Sequence, residues 1–176
     1  YNWHMFTLLA ENLNFGEGPR WHNDKLWFSD FYQHAVLTVD LDGNIERIVD
    51  IPNQPSGLGW LPNGDLLIVS MLDRKIMKYS NNALTLHSDL SKLTPFRCND
   101  MVVDKDGHAY VGNFGSLHHA KDVKPTCLIH IDPDGNANIA ARKLAAKNSV
   151  DASVYKTGRV TTDFFGIKAI EKFKQN

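Results

Sequence analysis

Through the first 140 residues, runs of β-branched and aromatic residues alternate with short turns, and three stretches repeat one order of apolar and polar positions. They are EGPRWHNDKLWFSD (17–30), SGLGWLPNGDLLIVS (56–70) and NDMVVDKDGHAYVGN (99–113). With Lys25, Asp65 and His108 taken as equivalent, the copies lie 40 and 43 residues apart. That is the period of four-stranded propeller blades. The spacing predicts an all-β chain with strands at 17–21, 25–30, 35–40 and 45–50, then 56–60, 65–70, 75–79 and 84–88, then 100–103, 108–112, 127–132 and 136–140. Asn63-Gly64 is a strong hairpin signal, because both residues tolerate positive φ. Residues 5–10 read as one further strand, and residues 115–126 as a loop longer than its counterparts, where binding is often tuned.

The repeat also picks out chemistry. Counting back eight residues from Lys25 and nine from Asp65 and His108 brings Glu17, Ser56 and Asn99 together at the start of the first strand of each unit. First strands line the channel of a propeller. Three polar residues there form either the near wall of a metal or ligand cup or a set of caps for local backbone groups.

Composition adds little to this and excludes several classes. With 43% apolar and 22% charged residues the chain is ordinary globular material. Its net charge of −1 gives no reason to expect a nucleic acid or an acidic membrane as partner. Two cysteines, Cys98 and Cys127, carry no zinc spacing, and a reduced, cytoplasmic setting is expected. No apolar run approaches the ~18 residues that span a bilayer. Residues 1–141 hold 11 Lys/Arg against 17 Asp/Glu, whereas 142–176 hold 8 against 3. Residues 1–140 therefore read as the propeller part and 141–176 as a basic tail of unknown role. In that tail Phe165, Ala169 and Phe173 make a short helical stripe that is expected to dock on its own domain. The Asp-x-Asp-Gly segments at 40–43, 104–107 and 132–135 lack the glycine and glutamate positions of a calcium-binding EF-hand and read as hairpin turns. His118 and His119 read as a solvated loop pair. No G-x-S-x-G or phosphate-binding glycine loop is present.

The segments GEGP (16–19), QPSGLGW (54–60) and FRCNDMVVDKDGHAYVGNFG (96–115) resemble the SMP-30/gluconolactonase/LRE family over about residues 6–140. The resemblance implies a six-bladed β-propeller, of which this sequence holds about three blades; the short tail with its helical stripe departs from the family. It implies that Glu17 ligates a divalent metal, calcium or zinc, that Arg97 and Asn99 contact a small-molecule lactone, and that Asn99 also reaches the metal. For Arg97 an ion pair with Asp100 or another channel acid is the alternative. The implied activity is metal-dependent hydrolysis of a sugar-acid lactone. The family's later P-N-G asparagine and its acid/base aspartate have no counterpart between Ala141 and Asn176. No catalytic residue is retained on that reading, and the chain is expected to show little activity alone. The alternative is a non-catalytic truncated propeller that binds a ligand or partner, and self-association through open blade edges is a further expectation.

Overall fold

The computed structural model describes residues 8–115, 124–144, 146–147 and 151–152. Twelve strands form three four-stranded antiparallel sheets, each built from consecutive strands in order. Blade one holds β1 (Gly16–His22), β2 (Lys25–Asp30), β3 (Ala35–Val39) and β4 (Ile45–Asp50). Blade two holds β5 (Pro55–Trp60), β6 (Leu66–Ser70), β7 (Lys75–Ser80) and β8 (Ala83–Asp89). Blade three holds β9 (Cys98–Val103), β10 (Ala109–Asn113), β11 (Thr126–Ile131) and β12 (Ala137–Leu144). A small pair, β13 (Ala146–Lys147) and β14 (Asp151–Ala152), follows. Among the described residues there is no helix.

Why these residues form blades is visible in β6. Leu66 and Ile68 pack toward blade one with Val36, Ile51 and Leu58, while Leu67 and Val69 pack toward blade three with Met101, Val111 and Ile129. A strand covered on both faces needs an unbroken apolar run. Trp27 and Trp60 meet edge to face with ring centroids 5.5 Å apart at the rim of the first of these layers, and His22 stacks on Trp60 at 4.0 Å. The far side of blade one holds Phe28, Ala35, Leu37 and Val39, with Ala10 packed on them.

The turns follow the sequence. Gly64 adopts φ of 90°, and Asp65 N donates to Asn63 Oδ1 at 3.1 Å. The Asp-x-Asp-Gly carboxylates face backbone: Asp40 Oδ1 accepts from Asp42 N and Asn44 N, and Asp132 Oδ1 from Asp134 N and Asn136 N. Two expectations are corrected. Residues 8–10 form no strand, the rest of the expected strand lying outside the described residues. Strand β12 runs on to Leu144, with Cys127 opposite Arg142 and Thr126 opposite Leu144, so blade three crosses the boundary expected at residue 140. The expected tail helix, His118 and His119 lie outside the described residues.

Cys98 lies opposite Asn113 on β10, and Asn113 Nδ2 donates to the Cys127 carbonyl at 2.9 Å from the other side. The cysteines thus sit on strands separated by β10, about 9–10 Å apart, beyond disulfide reach. Burial, then the Cys127 thiol, pushes the Cys98 thiol up to about 12. Cys98 should therefore resist a disulfide reagent at pH 8 in the folded chain and react once the chain is unfolded; fast labelling of the native protein at Cys98 would contradict its burial.

Candidate functional site

The innermost strands β1, β5 and β9 lie side by side, and each is irregular at the same place. The register shifts between Glu17 and Arg20 on β1, between Pro55 and Leu58 on β5, and between Cys98 and Met101 on β9. Bulges re-aim side chains and increase local twist. Here they enclose Ser56 and Asn99, whose counterpart on β1 is Gly18, while Glu17 stands at the edge of the β1 bulge; the common position expected from the spacing is thus off by one residue at Glu17.

Glycine lets these strands approach. A Cβ on Gly57 would stand 2.3 Å from Met101 N, and one on Gly18, whose φ is 59°, would stand 3.0 Å from Ser56 O. Side-chain hydrogen bonds link the blades at this level. Ser29 Oγ donates to Ser56 O at 2.6 Å, and Ser56 Oγ donates to Asn99 Oδ1 at 3.3 Å. The structure thus brings Ser56 and Asn99 into contact, with Glu17 on the adjoining strand.

Glu17 is half-buried. Its burial, and then the nearby Asp100 carboxylate, push its carboxyl up, while Arg20 opposes both. Asp100 forms its ion pair with Arg20, NH2 to Oδ1 at 2.7 Å, and not with Arg97. Arg97 precedes β9, where its carbonyl accepts from Phe114 N at 3.0 Å and its side chain is half-buried. Arg20 and Asp100 were not singled out by the sequence as a pair; the only signal was a basic residue directly after the GEGP segment.

The donors suit a hard cation. Glu17 supplies a carboxylate, Asn99 an amide oxygen and Ser56 a hydroxyl, all oxygen ligands of the kind calcium and magnesium take. The repulsion between Glu17 and Asp100 is the charge arrangement a cation relieves. Among the described residues, no group of three or more His, Cys, Asp or Glu side chains is placed to hold a metal. The set fits part of a coordination shell.

Residues 15–163 match the SMP-30/gluconolactonase/LRE-like region. The chain belongs to this family. Among solved structures it resembles a calcium-binding regucalcin from Agrobacterium tumefaciens, with 20% identity and TM-score 0.62 over 78% of this chain and 46% of that one. A gluconolactonase from Xanthomonas campestris matches with 19% identity and TM-score 0.62 over 76% of this chain and 50% of that one. A luciferin-regenerating enzyme matches with 12% identity and TM-score 0.56 over 88% of this chain and 64% of that one. These likenesses establish the fold, and the chain spans about half the length of the first two proteins. No curated protein matches. Among the described residues no helix is long and apolar enough to cross a membrane, which says nothing of membrane β-barrels.

Proposed function

We propose that β1, β5 and β9 form part of the channel of a metal-dependent lactone hydrolase acting on a sugar-acid lactone. The observation that carries this reading is the close packing of the bulged inner strands, with Ser56 Oγ on Asn99 Oδ1 and Glu17 on the neighbouring strand, inside the segment matched to the SMP-30/gluconolactonase/LRE-like family. Glu17 and Asn99 hold the cation, and the all-oxygen donor set favours calcium over zinc. When bound, a divalent cation polarises a lactone carbonyl and supplies an activated water. Arg97 grips hydroxyls or a carboxylate of the sugar acid through its planar fork of donors. The free, buried cysteines fit a reducing, cytoplasmic setting.

Calorimetric titration with calcium tests the assignment. Glu17→Gln removes the one negative charge among Glu17, Ser56 and Asn99, and affinity should fall at least about tenfold, as a charge-assisted contact implies. Affinity equal to that of the parent sinks the role of Glu17.

The second reading is a non-catalytic propeller segment that binds a ligand or partner. The Ser56–Asn99 contact beside Glu17 supplies oxygen groups that can hold a ligand without any acid/base residue, which favours it. Hydrolysis of glucono-1,5-lactone with added calcium, zinc or manganese separates the two. Turnover supports the enzyme; calcium binding without turnover supports the binding module.

A further inference from the structure

Beside the cup runs a tie that the family resemblance did not bring forward. Arg20 belongs to the bulge that starts at Glu17, and its guanidinium reaches from blade one to blade three. One NH2 contacts Asp100 Oδ1 and the Met101 carbonyl, each at 2.7 Å, while NH1 donates to Pro19 O at 2.9 Å. Both ends are fixed by backbone as well as by charge. Asp100 Oδ1 is further held by Met101 N at 2.8 Å. By strand register, Asp100 stands where the first copy carries Pro19 and the second Gly57. Gly57 closes the distance between β5 and β9. The third copy puts an anion there instead, immediately after Asn99.

We propose that Arg20 is a positioning residue of the cup. By tying the Glu17 bulge to the segment carrying Asn99, it sets the gap between these two oxygen donors and so the size of divalent cation they accept. The inference rests on the reading of Glu17 and Asn99 as donors. A planar guanidinium with three fixed acceptors defines a distance, which a flexible ammonium with a point charge cannot. The gap matters because calcium takes oxygen ligands at about 2.3–2.6 Å in loose geometry, whereas magnesium demands about 2.0–2.1 Å in a near-ideal octahedron. Arg20 also keeps Asp100 engaged, leaving Glu17 as the charged donor.

The test uses the whole chain and the variants Arg20→Met and Arg20→Lys, the second keeping a charge for Asp100 should the first fail to fold. Two readouts are taken. Without any cation, the side-chain amide signal of Asn99, assigned by its loss in Asn99→Ser, is followed by nitrogen–proton NMR. With calcium and then magnesium, affinities are measured by calorimetry. Loss of the tie should move the Asn99 signal in both variants and lower the ratio of calcium to magnesium affinity at least fivefold in Arg20→Met, with Arg20→Lys between it and the parent. A folded variant that loses thermal stability while keeping the parent's Asn99 signal and cation ratio would make Arg20 a structural staple and overturn the proposal. If the parent binds no divalent cation, the donor reading of Glu17 and Asn99 falls and the cation-size role falls with it. The metal-free Asn99 signal then decides separately whether Arg20 positions that residue.

Discussion

Gly57→Ala should be among the most damaging single substitutions in the chain, lowering stability by about 3 kcal/mol or more. The new methyl group would meet the Met101 amide nitrogen at 2.3 Å and the Asp100 backbone below 3.0 Å. Those atoms belong to β9, and no side chain can swing aside to make room. Relief requires β5 and β9 to separate, which opens the apolar layer between blades two and three and the Ser56–Asn99 contact together. Gly64→Ala is the control. Its Cβ would meet nothing within 4 Å, so only the positive φ of 90° penalises it, at about 1 kcal/mol. Thermal unfolding of the two variants should differ by on the order of 10 °C. Equal midpoints would mean that the inner strands are not packed backbone to backbone.

The second large effect is expected at Asp30, which ends β2 and is fully buried. Its carboxylate organises the mouth of blade one. Oδ2 accepts from Asn14 N at 2.8 Å and Gln33 Nε2 at 3.0 Å, and Oδ1 from Phe15 N, Tyr32 N and Gln33 N at 3.1–3.2 Å. Burial alone would push this carboxyl up, but the donors at Asn14, Gln33 and Phe15 outweigh it and hold it below the ordinary aspartate value. Asp30→Ala strands these donors and should cost about 2–4 kcal/mol. The sign of the pH dependence follows from the lowered value. The stabilisation is complete above the unfolded value of about 3.9 and is lost as pH falls through the folded one. Urea unfolding of the parent and of Asp30→Asn should therefore show a stability gap at pH 7 that narrows below about pH 4. A gap that stays constant down to pH 2 would mean that Asp30 is not held as an anion.

The blades were legible because their signal is local. Each sheet is a meander of neighbouring strands, and the apolar runs of β2, β6 and β10 with turn glycines at 64, 107 and 135 place them within a residue or two. Counting within a repeat needs no knowledge of the third dimension, and it brought Glu17, Ser56 and Asn99 to within one residue of a common position; the β1 bulge puts Gly18, not Glu17, in register with the other two. Contacts between blades were not. Asp100 looked like a partner for Arg97, three residues away, yet side chains three apart in extended chain point to opposite faces, and the partner is Arg20, 80 residues distant. The bulges that make this contact leave no mark beyond GEGP and SGLG. The end of blade three was misjudged because positive charge rises at Arg142. That residue is exposed on the last strand of the sheet, where a change of surface charge does not interrupt pairing. Residues 8–10 have strand-like composition, but a strand needs a neighbour, and composition does not supply one.

The meander order of every sheet also bears on how the chain reaches this state. Apart from the longer connection between β10 and β11, each hairpin closes a loop of only a few residues, a fast event with little entropic cost. The contacts of high sequence separation are those between blades, among β1, β5 and β9 and from β2 to β5 and β6 to β9, so the late step in folding is the docking of blades and not the formation of any sheet. Gly18, Gly57 and the guanidinium of Arg20 govern that step, which makes the residues around the cup the ones that turn three separate hairpin stacks into one cooperative unit.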